Sequence, residues 1–149
     1  MVLAKNGKNI LSPTRTCASC SLHKAPHFQW IYNYIAAVTD EVNNEHYQFD
    51  IMDMQSIQVL RYRPGQWFHW HYDTFDGSDR KLTVVINLSA PNDYIGGGLQ
   101  VEGDWIRQDK ARDQGSASFF PAWLKHRARA PIWGTRWALV AWITGPAWK

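Results

Sequence analysis

The chain has 149 residues, of which 45% are hydrophobic and 19% charged, with 9 Trp, 6 Tyr, 6 Phe and a net charge of +3. That balance excludes disorder, collagen and coiled coil, and the length suits one domain able to bury roughly 70% of its unfolded surface. The longest strictly apolar run, Trp137 to Ile143, is too short to span a bilayer, and the first residues lack the unbroken apolar core of a signal peptide, so a cytoplasmic protein is expected. The mild positive charge fits an anionic small ligand or an acidic partner and does not by itself argue for nucleic acid.

Residues 1–26 read as polar and loop-like, with Ser12-Pro13 and Ala25-Pro26 as breakers. Cys17 and Cys20 form one CxxC, followed by His23. A closed zinc site takes four ligands and no fourth stands nearby, so two ordinary thiols in a loop are expected. Residues 27–44 read as a helix. Pro26 suits its start, Trp30, Ile31, Tyr34, Ile35 and Val38 recur as one apolar stripe, and Asn43-Asn44 closes it.

Residues 49–145 read as short strands, at 49–52, 56–62, 67–73, 81–88, 98–102, 116–120, 124–130 and 135–144. Turn signals separate them, among them Arg63-Pro64-Gly65, Asp76 to Asp79, Ala90 to Asp93, Gly96-Gly97-Gly98, Asp113 to Gly115 and Pro131 to Gly134. Strands at this spacing without helices between them predict a mainly β single domain, an eight-stranded jelly roll with one helix laid outside.

Alternation along these strands assigns their faces. From Trp67 to Asp73, one face carries Trp67, His69, His71 and Asp73, and the other carries Phe68, Trp70 and Tyr72. From Leu82 to Leu88, the even positions are pure core and face away from Thr83, Val85 and Asn87. His126 points inward with Ala128 and Ala130, while Lys125, Arg127 and Arg129 point out. Arg136 shares a face with Ala138, Val140 and Trp142, and Tyr62 with Gln58 and Leu60. Inward polar groups need partners, and a metal plus an anion would satisfy this set.

His71 and Asp73 supply an imidazole and a carboxylate from one face, and His126, 55 residues later, supplies a second imidazole. Two His and one carboxylate with open positions form the facial triad of non-haem Fe(II) oxygenases, with zinc as the competing metal. A guanidinium on an apolar face needs an anion, and Arg136 has the fork geometry to grip a carboxylate.

The motifs then fall in a known order. They are Ile57-Gln-Val-Leu-Arg-Tyr-Arg-Pro-Gly-Gln66, His71-Tyr-Asp73, Arg80-Lys-Leu-Thr-Val-Val-Ile-Asn-Leu-Ser89, Asp93-Tyr-Ile-Gly-Gly-Gly-Leu-Gln-Val101, Gly115-Ser-Ala-Ser-Phe-Phe-Pro121, His126, Gly134-Thr-Arg136 and Trp142 to Lys149. As a set they resemble the prolyl-4-hydroxylase-like branch of the Fe(II)- and 2-oxoglutarate-dependent oxygenases, especially its small bacterial and phage members. The resemblance implies a double-stranded β-helix (jelly roll, cupin-like) with an N-terminal supporting helix. It implies Fe(II) on His71, Asp73 and His126, and the distal carboxylate of 2-oxoglutarate on Arg136. Tyr62 matches a tyrosine that contacts the cosubstrate, Asn87 stands where relatives often carry a tyrosine toward the distal carboxylate and would donate its amide hydrogen there instead, and Thr83 and Trp142 would be wall residues. The resemblance also implies O2 as a further cosubstrate and admits ascorbate. The implied reaction hydroxylates a prolyl residue in a peptide or protein and releases succinate and CO2, in a bacterial cytoplasm or, for a virus-encoded member, that of the host.

His69 shares the predicted metal face, either as support for the site or merely at the barrel mouth. The surplus tryptophans include Trp67, Trp105, Trp123, Trp133 and Trp148, which either pack and cover loops or form an aromatic groove suited to proline. Two other readings stay open: a hydroxylase of a free amino acid or other small molecule, and a β-barrel binding module without catalysis. No membrane and no nucleic-acid partner is expected.

Overall fold

The computed structural model describes residues 14–148 in full and the backbone of 2–3 and 9–10. The predicted breaker Ser12-Pro13 lies outside the described residues. A short antiparallel pair, β1 (Val2–Leu3) and β2 (Asn9–Ile10), comes first. β3 (Ala18–Leu22) is next, then a 3-10 turn at Pro26–Phe28, helix α1 (Gln29–Val42) and a π-helical turn at Asn43–Tyr47 that Gln48 ends with φ 55°. The remaining strands are β4 (Asp53–Met54), β5 (Ile57–Tyr62), β6 (Phe68–His71), β7 (Arg80–Asn87), β8 (Tyr94–Val101), β9 (Ala117–Pro121), β10 (His126–Gly134) and β11 (Arg136–Thr144).

Two antiparallel sheets face each other. The larger runs β3-β5-β11-β7-β9, with β4 attached to β11, and the smaller runs β6-β10-β8. This is the predicted mainly β, jelly-roll architecture with one supporting helix. Strand β11 shows how the sequence builds it. Arg136, Ala138, Val140 and Trp142 face the smaller sheet, while Leu139, Ala141 and Ile143 face the helix. Two cores result. One lies between the sheets around Leu60, Val85, Phe120 and Val140, and the other between the larger sheet and α1 around Ile35, Ile57, Leu82 and Val84. Each such fully buried aliphatic side chain contributes about 1.5–3 kcal/mol.

Four expectations need correction. Residues 18–22, expected as loop, form edge strand β3; its Ala-Ser-Cys-Ser-Leu sequence lacks the apolar alternation that marks a strand, and pairing with β5 holds it there. The strand expected at 49–52 is displaced to Asp53–Met54, where the edge of β11 is free to pair. Gly96–Gly98 and Pro131–Gly134, read as turns, lie inside β8 and β10; the glycines take positive φ, and the register shifts between Pro131 and Trp133. The helix is rotated from its expected face: Tyr32, Ile35 and Thr39 are buried, whereas Trp30 is 68% exposed and Tyr34 66%. Tyr32 decides this rotation. Its hydroxyl donates to the Leu22 carbonyl and accepts from the Ile57 N–H, so α1 is tied to both β3 and β5.

Gly134 sets the path of the chain from β10 into β11. It has φ 75°, and any side chain there would strike the Asp93 carbonyl. It therefore permits the tight link between these strands that sets Arg136 on the inner face.

Candidate metal and cosubstrate site

Between the sheets lies a cavity of about 400 Å³, and His71, Asp73, His126, Thr83, Tyr62, Arg136 and Trp142 all line it. The donor atoms of His71, Asp73 and His126 lie within 4.8 Å of one another, and among the described residues no other His, Cys, Asp and Glu group gathers this way. Nε2 of His71 is 3.4 Å from Asp73 Oδ1, and Nε2 of His126 is 3.2 Å from Oδ2. Cross-strand pairing of His71 with His126 brings the two rings together, with centroids 4.2 Å apart.

Each imidazole is oriented from behind. His71 Nδ1 meets the His69 carbonyl at 2.6 Å and His126 Nδ1 meets the Leu124 carbonyl at 2.9 Å. A carbonyl only accepts, so Nδ1 carries a proton and Nε2 is the nitrogen turned to Asp73, donating to the carboxylate when it bears a proton and offering its lone pair to a metal when that proton leaves. His71 also stacks on Phe68 at 3.8 Å, and His126 packs edge-on to Phe120.

Asp73 is 6% exposed, and burial alone would raise its pKa. Hydrogen bonding to His126 and His71 and a 2.6 Å bond from the Thr83 hydroxyl outweigh burial and hold the carboxyl well below the usual range. Its backbone is pinned by the Ala122 carbonyl and by Arg80 Nη1. A desolvated carboxylate between two aimed imidazoles suits a divalent cation.

Farther along β11, Arg136 is 2% exposed, and among the described residues no carboxylate is within ion-pair distance of it. Its Nε donates to Asn87 Oδ1 at 3.1 Å, and its guanidinium carbon lies 5.5 Å from the Tyr62 ring centroid. Asn87 does not reach the cavity wall. Both its amide protons go to the carbonyls of Ser89 and Arg112, so it has no donor left for a cosubstrate and bears on the cavity through Arg136. The Tyr62 hydroxyl is kept protonated mainly by burial and by Cys17, against the pull of Arg136 and Arg15. The indole N–H of Trp142 is buried in the wall, with no acceptor among the described residues. An unanswered guanidinium and an orphan donor fit a ligand with carboxylate oxygens.

The strand carrying His71 departs from simple alternation. Between the pairs His126–His71 and Ala128–Phe68, β6 carries one residue more than β10. This bulge puts Phe68 and His71 on the same side. His69, expected on the metal face, is instead exposed and stacks on Trp67 at 3.6 Å; only its carbonyl serves the site. Cys17 is fully buried and hydrogen-bonded to Tyr62, whereas Cys20 is exposed, so the CxxC thiols face different surroundings. Arg80 and Arg15 also line the cavity, and strand alternation assigns a role to neither. Arg80 had a signal, a cation opening a core strand, but Arg15 had none.

A family model described as the 2OG-Fe(II) oxygenase superfamily matches residues 57–144. A PKHD-type hydroxylase of Synechococcus elongatus is 32% identical over 96 residues, covering 60% of this chain and 43% of that protein. One from Acaryochloris marina is 34% identical over 95 residues, with the same coverage of 60% and 43%. The chain thus spans less than half the length of these relatives. Among solved structures, a prolyl-4-hydroxylase of Pseudomonas putida superposes with TM-score 0.73 at 18% identity, covering 96% of this chain and 79% of that one. The viral collagen prolyl hydroxylase of Paramecium Bursaria Chlorella virus-1 gives TM-score 0.69 at 22% identity, covering 89% and 81%. A Trichoplax adhaerens prolyl hydroxylase, solved with a hypoxia inducible factor peptide fragment, gives 0.74 at 15% identity, covering 96% and 69%. These likenesses establish the fold.

Proposed function

The chain belongs to the 2OG-Fe(II) oxygenase superfamily, and from that premise we propose that it is a dioxygenase that hydroxylates a prolyl residue in a peptide or protein, releasing succinate and CO2. One observation carries the reading. A His71–Asp73–His126 donor set and a buried guanidinium, without a carboxylate partner among the described residues, line one cavity.

In this reading His71, Asp73 and His126 hold Fe(II), and Arg136 receives the distal carboxylate of 2-oxoglutarate. Bound there, the metal and cosubstrate supply the oxidising power that amino acid side chains lack. Thr83 and Arg80 hold Asp73 in place, while Asn87 turns the guanidinium of Arg136. Tyr62 stays neutral beside it, and Trp142 offers its N–H to an oxygen acceptor. The apolar wall of Leu60, Val85 and Val140 keeps water from the reacting carbon. No helix among the described residues is long and apolar enough to cross a membrane. The prolyl-hydroxylase structural neighbours support a peptide substrate, as do two exposed aromatics, Tyr72 lining the cavity and Phe75 with its ring 5.8 Å from the Arg80 guanidinium.

The test incubates the protein with Fe(II), 2-oxoglutarate and a proline-rich peptide library. The expected result is a mass gain of about 16 Da on proline, one inserted oxygen, with equivalent succinate. Succinate release with oxygen inserted only at other residues would remove the prolyl assignment. No 2-oxoglutarate turnover with any peptide or amino acid would remove the enzyme reading.

A further inference from the structure

Arg15 enters the same cavity from a segment that reads as loop. Residues 14–16 run along the free edge of β6. Thr16 N–H donates to the Trp67 carbonyl at 2.9 Å, His69 N–H donates to the Thr14 carbonyl at 2.8 Å, and Arg15 stands opposite Phe68. The Arg15 guanidinium carbon lies 5.4 Å from the Phe68 ring centroid, and that ring stacks on His71. Arg15 is thus one aromatic ring away from a metal ligand.

Among the described residues no carboxylate lies within ion-pair distance of Arg15. The cavity wall carries the guanidiniums of Arg15, Arg80, Arg127 and Arg136 against the single carboxylate of Asp73, and Arg127 is engaged by Gln100 and the Trp70 ring. A divalent metal and a dianionic cosubstrate cancel each other, so the loaded cavity keeps an excess of positive charge. Arg80 is engaged, since it donates to Gln55 and to the Asp73 carbonyl and lies on the Trp142 ring at 4.0 Å. Arg136 is deeply buried and held by Asn87. Arg15 is half-buried, nearer to solvent than Arg136, and its guanidinium lies against the Phe68 ring while acting electrostatically on Cys17 and Tyr62.

We infer that Arg15 selects a primary substrate bearing a carboxylate close to the carbon that reacts. The inference rests on the proposed metal and cosubstrate occupancy of the cavity. A guanidinium fork pairs with a carboxylate through two parallel hydrogen bonds and loses them when the carboxylate becomes an amide. That carboxylate comes either from an acidic side chain next to the target in a peptide or from the α-carboxylate of a free amino acid.

Calorimetry on the Mn(II)- and 2-oxoglutarate-loaded full chain tests it with two probe pairs. They are acetyl-Ala-Pro-Asp-Ala-amide against its Asn counterpart, and L-proline against L-prolinamide. The carboxylate member of one pair is expected to bind about tenfold or more tighter than its amide. Arg15→Gln is expected to erase that ratio and Arg15→Lys to keep part of it, since charge survives and the fork does not. The pair that shows the ratio identifies the source. Equal affinities within both pairs, a ratio that survives Arg15→Gln, or no binding of any probe overturns the inference. So does loss of 2-oxoglutarate affinity in Arg15→Gln with the ratio intact, which would move Arg15 to the cosubstrate. Mn(II) does not turn over, so binding is read apart from reaction: an intact ratio in calorimetry with no hydroxylated product in the Fe(II) incubation removes the proposed reaction and leaves the inference standing.

Discussion

Arg136 donates its Nε–H to the Asn87 side-chain oxygen at 3.1 Å, and Asn87 cannot rotate away because both its amide protons are held by backbone carbonyls. The guanidinium is therefore fixed on one edge, with its remaining donors free for the cavity. Arg136→Leu should leave Fe(II) affinity nearly intact and weaken 2-oxoglutarate binding by a factor on the order of 100, from loss of about 3 kcal/mol of charge-assisted pairing. Asn87→Ala keeps the charge but frees it to turn, and should weaken 2-oxoglutarate binding about tenfold or less. Calorimetry on the Mn(II)-loaded variants checks both. Unchanged affinity in Arg136→Leu would mean that the cosubstrate is held elsewhere.

Thr83 should matter to the metal without touching it. Its hydroxyl bonds the same Asp73 oxygen that approaches His126. Thr83→Val preserves shape and removes that bond, and should lower metal affinity by about 10–100-fold. Asp73→Ala should abolish metal binding and turnover together. Mn(II) titration followed by electron paramagnetic resonance reads both, and full metal binding by Asp73→Ala would sink the ligand assignment.

Acid should unfold the metal-free protein partly through Asp73. Its folded pKa is depressed, because bonding to His126, His71 and Thr83 outweighs burial. A carboxyl of this kind contributes stability above its unfolded pKa of about 3.9, and that stability is lost as pH falls toward the folded value. Chemical denaturation between about pH 5 and pH 2 should show a steeper loss for the native chain than for Asp73→Asn, which has no such group to titrate. Parallel curves would mean that Asp73 titrates as it does in the unfolded chain.

The Tyr32 hydroxyl joins the helix to two strands, accepting from Ile57 N–H and donating to the Leu22 carbonyl. Tyr32→Phe leaves both backbone groups without that partner and should cost about 1–3 kcal/mol. Hydrogen exchange should localise the loss to β3 and the start of β5. An unchanged melting temperature would show that water replaces the hydroxyl at no cost.

The fold class and the existence of the helix are legible in the residues alone, as is the grouping of inward polar side chains on the strands that line the cavity. Alternation is a property of the local backbone, so Arg136, Ala138, Val140 and Trp142 could be assigned to one face before any partner strand was known. His71, Asp73 and His126 were legible for the same reason, together with the donor chemistry that metals require. Tertiary structure decided whatever depends on a distant partner. The extra residue in β6 is defined only against the register of β10, and it moves His69 outward while leaving its carbonyl behind His71. Edge strand β3 exists because β5 offers it hydrogen bonds, not because its own residues favour extension. The buried face of α1 is set by the position of the larger sheet and the Tyr32 hydroxyl rather than by the broadest apolar stripe. Asn87 became the support of Arg136 only once β7 lay beside β11. Arg15 reached the cavity only when the segment before Cys17 paired with β6, a contact between residues 53 positions apart that no local pattern encodes.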